Sequence, residues 1–264
     1  MIPRIIHYVW VGGNPLPPLE EKCMVSWKRF CPNYEIKRWD ETNFDISSNR
    51  FCKEAYEAKK FAFVSDYIRL FVLVNYGGIY MDTDVELVKT IDDFLVHQAF
   101  SGFEKEKSIS TGIMGCEKGY HLFNDLLSDY KDRCFILPNG EQNLTTNVSY
   151  ITEICLGRGL VLNNSLQTVD GFTLYPKDVF CPKNFASGQY NITNSTIAIH
   201  HFSGSWISAS QKKYERIKEK IFELFGHKFG QLFIFPFFLL WQLKDYGLKK
   251  VLMKPLRKMQ SKKQ

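Results

Sequence analysis

A short apolar run that ends in two carboxylates is the feature of this sequence that most restricts its fold. Residues 77–85 read Gly-Gly-Ile-Tyr-Met-Asp-Thr-Asp-Val, and the part before the acidic pair has the character of a buried strand. Successive side chains of a strand point to opposite faces, but Asp82 and Asp84 can converge where the strand ends in a turn at the sheet edge. Carboxylate oxygens select Mg²⁺ or Mn²⁺, and such an ion can hold a diphosphate. The spacing therefore predicts a divalent-cation site beyond a buried strand.

The net charge of the chain is concentrated at its C-terminal end. The 264 residues carry a formal charge of +6, but residues 244–264 contain eight Lys or Arg and one acid, so this segment contributes +7 and residues 1–243 sum to −1. The length and apolar content suffice for one globular domain with an appendage. Nucleic-acid binding needs a basic face on the folded domain, which a neutral body does not require, so we expect no nucleic-acid partner.

Cysteine usage and the N-terminal residues favour a cytoplasmic protein. The seven cysteines are scattered and lack a C-x-x-C pair, which is typical of reduced core thiols. The chain runs from Met1 into an apolar segment without a basic leader, so we interpret the segment as a first strand rather than a signal peptide. His7, inside this strand, is interpreted as a core histidine rather than a ligand.

Apolar spacing alternates between strand and helix patterns along the chain. Predicted strands cover residues 2–11, 34–39, 79–81, 98–104, 109–115 and 196–202, and predicted helices cover residues 19–30, 51–56, 60–75, 120–131 and 142–155. The alternation predicts an α/β fold with a mostly parallel sheet, flanking helices and a ligand crevice at the carboxyl ends of the strands. We expect a catalytic domain over residues 1–210 and a helical tail over residues 211–264.

Four segments in a fixed order carry a family resemblance. They are IPRIIHYVWVGG, FVSDYIRLFVLVNYGG, YGGIYMDTDV and HHFSGSW. Together they resemble glycosyltransferase family 32, whose members contain a sugar-binding region with an Asp-X-Asp (DXD) motif, and the resemblance covers roughly Ile2 to Trp206. It implies a Rossmann-like fold of the GT-A type, the fold of many nucleotide-diphospho-sugar transferases. It also implies metal-dependent, retaining transfer of a hexose from a nucleotide-diphosphate sugar, with a UDP-sugar favoured.

We expect the acceptor to be a hydroxyl of a glycan in the biosynthesis of a capsule, an O-antigen or another surface polysaccharide, and a lipid-linked acceptor would fit the tail described below. No pair of carboxylates for double displacement stands out, so we expect attack on the face from which the leaving group departs, with the leaving phosphate accepting the proton. A toxin-like protein glycosyltransferase and a catalytically silent nucleotide-sugar or glycan-binding module are the alternatives. The donor base, the sugar, the linkage and the oligomeric state stay open.

Asp66 and Arg69 stand one helical turn apart in the segment before the acidic strand. Taken alone, an i, i+3 pair of this kind is a surface salt bridge. By resemblance, Asp66 bonds sugar hydroxyls and Arg69 holds the sugar or a phosphate with its planar fork. The resemblance also makes Asp84 the direct metal ligand and places Asp82 on the donor's ribose or sugar, with a metal contact through water. These four residues form the predicted catalytic set.

Trp10 ends the first strand just before Gly12 and Gly13, where its ring can stack on the nucleotide base. The alternative is a core tryptophan capped by a tight turn. The other donor contacts that the resemblance implies are Val9, Tyr80, Thr83, Ser205 and Trp206. Weaker expectations for the acceptor or sugar pocket fall on Thr111, Gly112 and Asn147. The family often has Gly-Pro where this chain has Asn147-Val148, which leaves the donor less defined.

Two adjacent histidines near residue 200 offer a further metal ligand. A metal held by one or two carboxylates needs another protein ligand, and imidazole suits Mn²⁺. Strand alternation lets only one of His200 and His201 face the site. The related fold places its metal-binding histidine three residues before a glycine, which selects His201 ahead of Gly204.

The tail combines an apolar segment with a basic end. Residues 229–243 are fifteen residues without a charge, but Gly230 and Pro236 interrupt them, and the segment is too short and too broken to span a bilayer. Aromatic bulk followed by lysines is typical of an interfacial segment attracted to anionic lipid. We therefore expect peripheral docking on the inner face of a membrane. The alternative is a helix packed on the domain or against a partner chain.

Overall fold

Helices and strands alternate along most of the chain in the computed structural model, which describes residues 1–105, 107–183, 189–204 and 209–260. In chain order the elements are β1 (Ile5–Val9), α1 (Pro18–Phe30), β2 (Glu35–Trp39), α2 (Arg50–Glu57), α3 (Phe61–Tyr76), β3 (Gly78–Met81), β4 (Val85–Leu87), β5 (Ala99–Lys105), β6 (Ser108–Ile109), β7 (Ile113–Cys116), α4 (His121–Asp129), α5 (Asn147–Gly157), β8 (Gln167–Val169), β9 (Phe172–Tyr175), α6 (Lys177–Phe180), β10 (Ala198–His200) and α7 (Ala209–Gln260).

The chain forms two compact units. The first comprises Met1–Lys183 and Tyr190–His201, and the second comprises Asn184–Gln189 and Phe202–Gln264. The sheet and the acidic strand lie in the first unit, and α7 lies in the second. The predicted boundary at residue 210 stays a prediction.

The central sheet has the strand order β2-β1-β3-β7-β5-β9-β8, with β6 paired to β5 at its side. Parallel pairing joins β1 to β2, β1 to β3 and β5 to β9, whereas β7 and β8 are antiparallel to their neighbours. Consequently β1, β2, β3, β5 and β9 point the same way and end at the same edge of the sheet. The prediction of an α/β fold with a mostly parallel sheet is confirmed.

A second, two-stranded sheet brings a late part of the chain back to the acidic segment. β4 begins directly after Asp84, and it pairs antiparallel with β10 so that His200 lies opposite Val85 and Ile199 opposite Glu86. The Trp27 indole, which is fully buried, donates to the carbonyl oxygen of Val85 at 2.7 Å and so anchors α1 beneath this pair.

The link from α3 to β3 requires glycine. Gly77 and Gly78 have φ of +68° and +96°, which lie in the left-handed region that residues other than glycine rarely adopt. A Cβ atom on Gly78 would lie 2.7 Å from the carbonyl oxygen of Ile5 in the neighbouring strand. The two glycines therefore let a buried helix turn at once into the strand that carries the acidic pair.

His7 is a satisfied core histidine, as predicted. Its Nε2 donates to the carbonyl oxygen of Gly77 at 2.9 Å, and its Nδ1 accepts from the Trp39 indole at 3.1 Å. Burial lowers the pKa of His7 to about 4, against the opposing effect of the hydrogen bond to Gly77. The neutral ring thus ties β1 to β2 and to the glycine link.

The cysteines are free thiols, and all of them except Cys134 are buried. Burial raises the pKa of Cys23 and of Cys52 to about 12, so these thiols stay protonated. They act as small apolar core residues, in agreement with the prediction.

Candidate functional site

Two carboxylates and one imidazole converge in the turn after β3. The turn holds Asp82 and Asp84, and the Val85 amide closes it by donating to the carbonyl oxygen of Asp82 at 3.0 Å. His200 Nε2 lies 3.3 Å from Asp84 Oδ1 and 3.9 Å from Asp82 Oδ2. One ligand atom from each of these three side chains lies within 4.8 Å of the other two. A continued strand would hold these two carboxylates on one face but about 7 Å apart, and the turn brings them closer together.

The electrostatics of this group fit a divalent cation. Asp84 and His200 are buried, and Asp82 is half-buried. Burial acts to lower the pKa of His200, but the adjacent Asp84 carboxylate outweighs it and holds that pKa well above its usual value. The negative field of the carboxylates thus keeps a proton on the imidazole, and a bound cation can take the place of that proton. Two carboxylates and one imidazole are a set of ligands that suits Mn²⁺ or Mg²⁺.

The histidine beside the carboxylates is His200 and not His201, which corrects the assignment made from the sequence. His201 Nε2 lies 2.8 Å from Glu86 Oε2, and its backbone amide donates to the carbonyl oxygen of Asp84 at 3.0 Å. The spacing to Gly204 was a misleading guide, because the register of β10 against β4 decides which ring faces the turn.

Arg69 is a buried cation that joins α3 to the acidic turn. Its Nη2 lies 3.0 Å from Asp82 Oδ1 and 3.5 Å from Asp66 Oδ1, and its Nη1 donates to the carbonyl oxygen of Thr111 at 2.9 Å. The guanidinium stacks on the Tyr80 ring at 4.6 Å, and the Tyr80 hydroxyl donates to Asp82 Oδ1 at 2.8 Å. Burial disfavours the charged form of Arg69, but Tyr80, Asp82 and Asp66 raise the pKa of Arg69. The Arg69 and Asp66 side chains are only 5% and 9% exposed, which excludes the surface salt bridge.

Asp66 is held in place by the start of α5. Its Oδ2 accepts from the backbone amide of Asn147 at 3.0 Å, and its carbonyl oxygen accepts from the Asn147 side-chain amide. The Tyr130 hydroxyl in turn donates to Asn147 Oδ1 at 2.6 Å. Burial raises the pKa of Asp66 to about 6, against the opposing charge of Arg69. Asn147 thus lies behind Asp66, and its expected part in the acceptor or sugar pocket stays a prediction.

The loop of residues 110–112 closes the site beside the acidic turn. The Asp82 amide donates to the carbonyl oxygen of Gly112 at 2.8 Å, and Thr111 contributes the carbonyl oxygen that Arg69 binds. A Cβ atom on Gly112 would lie 2.7 Å from His200 Nδ1 and 3.3 Å from Asp82 Oδ2. The site therefore leaves no room for a side chain at Gly112.

Trp10, the predicted base-stacking residue, is half-buried just past the end of β1. Its indole donates to the carbonyl oxygen of Asn14 at 2.7 Å, which holds the ring against the following loop. In that loop Gly12 has a φ of +94°, and its amide donates to Glu41. The stacking role of Trp10 stays a prediction.

The remaining predicted donor contacts fall into two groups. Val9 is buried in β1 and Thr83 is half-buried in the acidic turn, and their contacts with a donor stay predictions. Ser205 and Trp206 lie outside the described residues.

A family match falls on the segment that carries this geometry. Residues 17–101 match the family model described as "Glycosyltransferase sugar-binding region containing DXD motif", a span that includes α3, β3 and the acidic turn. The chain carries the sugar-binding region of the DXD-containing glycosyltransferases.

Relatives of this glycosyltransferase include viral and fungal proteins. It is 27% identical over 226 residues to an uncharacterised glycosyltransferase of Acanthamoeba polyphaga mimivirus, covering 78% of this chain and 84% of that protein. It is 29% identical over 127 residues to inositol phosphoceramide mannosyltransferase 3 of Schizosaccharomyces pombe, covering 45% of this chain and 34% of that protein. It is 26% identical over 144 residues to a mannosyl phosphorylinositol ceramide synthase of Saccharomyces cerevisiae, covering 52% and 37%. The chain thus spans about a third of the length of these fungal relatives.

Two solved structures are also similar to this glycosyltransferase. The PaToxG glycosyltransferase aligns with a TM-score of 0.45 at 16% identity, covering 59% of this chain and 69% of that one. A glycosyltransferase involved in glycosylation of the major capsid of PBCV-1 aligns with a TM-score of 0.46 at 10% identity, covering 80% and 98%.

Glu104 is a residue near the glycosyltransferase site that sequence reasoning missed. The register of β5 against β6 shifts between Phe103 and Lys105, so Glu104 stands at an irregularity near the carboxyl end of β5. Its side chain is half-buried. Burial raises the pKa of Glu104, while the charge of His200 lowers it and that of Asp82 raises it, so Glu104 lies within electrostatic reach of Asp82 and His200. Its position at the end of a predicted strand was the one signal in the sequence.

Proposed function

We propose that this glycosyltransferase depends on Mn²⁺ or Mg²⁺ and transfers a hexose, with retention, from a nucleotide-diphosphate sugar to a glycan. The observation that carries the proposal is the convergence of Asp82, Asp84 and His200 beside the buried Arg69. A divalent ion held by these three side chains supplies positive charge that stabilises a departing nucleoside diphosphate.

Arg69 is well placed to hold the donor. Among the described residues its Nε is a buried nitrogen without a hydrogen-bond acceptor, although both of its Nη atoms are engaged. An unmatched buried donor of this kind costs about 1–3 kcal/mol, so a ligand oxygen that reaches the Nε–H gains that amount. We assign the Nε–H to a sugar hydroxyl or a phosphate oxygen of the donor, because guanidinium keeps its charge and its planar fork at any physiological pH.

Asp66 and Glu104 are the carboxylates we assign to the sugar. Asp66 Oδ1 faces Arg69 while Oδ2 is held by α5, so the group is fixed before a ligand arrives. In the proposed reaction the acceptor hydroxyl bonds to the anomeric carbon as the bond from that carbon to the phosphate oxygen breaks on the same face. The hydroxyl proton passes to the departing phosphate oxygen, so the reaction needs no second catalytic base.

The donor we favour is a UDP-sugar, and the acceptor is a lipid-linked glycan in the assembly of a surface polysaccharide at the inner face of a membrane. The names of the fungal relatives support a lipid-borne acceptor, because they describe mannose transfer to inositol phosphoceramide. Those names also make mannose the first alternative sugar to test.

The test is a hydrolysis and transfer screen of UDP- and GDP-sugars with Mn²⁺ or Mg²⁺, repeated with chelator. We expect slow, metal-dependent hydrolysis of one donor, and loss of both Mn²⁺ binding and hydrolysis in Asp84→Asn. The matched control is Asp132→Asn, which removes one charge from an exposed position. Full activity of Asp84→Asn would refute the proposal. Metal-dependent donor binding without hydrolysis or transfer would identify a silent binding module instead.

A further inference from the structure

The long C-terminal helix α7 folds back on itself. The rings of Tyr214 and Trp241 stack with centroids 4.9 Å apart and planes at 14°, and Tyr214 also contacts Phe238 at 5.9 Å. In a straight helix, Tyr214 and Trp241 would stand about 40 Å apart at 1.5 Å per residue. Gly226, between them, has a φ of +67°, which breaks the right-handed helical path. α7 therefore forms a helical hairpin that turns at Gly226.

The two arms of this hairpin meet along a narrow inner stripe. Gly230 lies so close to the Phe222 ring that an added Cβ would be 2.4 Å from it. One and three helical turns further on, Ile234 and Gln242 are 7% and 4% exposed, and Tyr214 of the first arm is 9% exposed. The positions 230, 234, 238, 241 and 242 share one helix face, so the inner stripe uses a single face of the second arm.

The hairpin exposes large apolar side chains around its turn and further along its second arm, including Phe235 and Leu240 at 61% and 63%. The Phe225 and Phe233 rings contact each other at 4.8 Å across the turn, yet they remain 49% and 52% exposed. Leu224, Phe229 and Leu232 beside them are 77%, 61% and 73% exposed. Soluble monomers rarely display a contiguous apolar surface of this kind unless it binds something. We call Leu224, Phe225, Phe229, Leu232 and Phe233 the hairpin tip.

Charge decides between the possible occupants of the hairpin tip. The C-terminal end of the chain is strongly basic, with +7 over residues 244–264, and residues 209–243 contain six Lys or Arg against three Glu. Aromatic and leucine side chains next to a surplus of lysine match an interface of acyl chains and anionic headgroups. Among the described residues no helix is long and apolar enough to cross a bilayer. A hairpin enters and leaves from the same side, so docking does not require crossing.

We propose that this hairpin is a membrane-docking element whose tip inserts into the interface of an anionic bilayer. The inference rests on the proposed function for the reason to be at a membrane, namely a lipid-linked acceptor. Its geometry is independent of the metal-binding group, so binding to vesicles and hydrolysis of the donor are separate measurements that can fail separately.

The experiment measures sedimentation of the full-length protein with phosphatidylcholine vesicles that contain or lack phosphatidylserine. We expect binding to the anionic vesicles that weakens as salt rises. In the double variant Phe225→Glu/Phe233→Glu we expect the affinity to fall at least about tenfold, because two inserted rings are lost and two repelling charges are added. Both positions are half exposed, so we expect the double variant to fold as the parent does. An unchanged circular dichroism spectrum and an unchanged Mn²⁺ affinity would verify that the variant is folded.

The matched control is Leu166→Glu, which adds charge at an equally apolar position in the first unit that is 59% exposed. It should bind vesicles as the parent does. Equal vesicle binding by the double variant and the parent would overturn the proposal. So would conversion of a dimer to a monomer by the double variant without loss of vesicle binding, because the tip would then be a contact between two copies of the chain.

Discussion

Replacing Gly112 with alanine tests whether the proposed metal-binding group of Asp82, Asp84 and His200 is assembled as tightly as the structure shows. The new methyl carbon would lie 2.7 Å from His200 Nδ1 and 2.8 Å from His200 Cε1, whereas ordinary van der Waals contact begins near 3.4 Å. The backbone at Gly112 has little freedom to retreat, because its carbonyl oxygen accepts from the Asp82 amide and its own amide donates to Ser110 Oγ. The His200 ring must therefore move by about 0.7 Å.

The expected cost of this displacement is large for binding and moderate for stability. Misplacing a reacting or ligating group by about 1 Å lowers rates on the order of 100-fold, and disturbing the groups that orient a metal ligand costs about 10- to 100-fold in affinity. We therefore expect Gly112→Ala to weaken Mn²⁺ binding at least about tenfold and donor hydrolysis by about 100-fold. Overpacking of this kind destabilises a fold by roughly 1–3 kcal/mol, so the protein should still fold.

The assay is calorimetric titration with Mn²⁺, together with donor hydrolysis and urea unfolding. Gly157→Ala is the matched control, because a Cβ atom there meets nothing within 4 Å and the backbone is not left-handed. This control should retain Mn²⁺ affinity and hydrolysis. Parental Mn²⁺ affinity in a folded Gly112→Ala protein would refute the reasoning, since it would mean that His200 does not need its observed position to hold the metal.

Three further changes separate the roles assigned in this structure. His200→Ala should abolish Mn²⁺ binding, because it removes the imidazole beside Asp84. His201→Ala should retain Mn²⁺ binding but lower the stability of the fold, because the contact with Glu86 is lost. The reverse result in Mn²⁺ titrations would restore His201 as the metal ligand. The pKa of His7 is about 4 in the folded protein and 6.5 in the unfolded chain. Between pH 6.5 and pH 4 the unfolded chain therefore binds more protons than the folded protein, and the free energy of unfolding should fall by up to about 3 kcal/mol over this range. A His7 ring that titrates near pH 6.5 in NMR spectra of the folded protein would contradict this. Glu104→Gln should lower sugar transfer at least about tenfold without lowering the unfolding midpoint, because burial already disfavours its charge; unchanged transfer would remove Glu104 from the site.

Local pattern was a sound guide wherever one stretch of chain sets its own environment. The helix predicted over residues 60–75 is α3, Phe61–Tyr76, and the strand predicted over 79–81 is β3, Gly78–Met81. Both follow from continuous apolar character closed by the glycine pair, which the chain needs whatever it later packs against. Short elements such as β8, β9 and α6 were missed, because strands of three or four residues carry too little periodicity to be read without their partners.

The α/β class, the buried strand that ends in Asp82 and Asp84, and the resemblance to the DXD-containing glycosyltransferases could be read from the chain before its fold was known. These depend on residues that are neighbours along the chain, where turn and strand preferences act directly. The tertiary structure alone decided that His200 rather than His201 faces the carboxylates, that Gly112 must lack a side chain, and that α7 closes into a hairpin. Each of these depends on pairing between segments far apart in the chain, and a shift of one residue in such a pairing exchanges the side chains on its two faces.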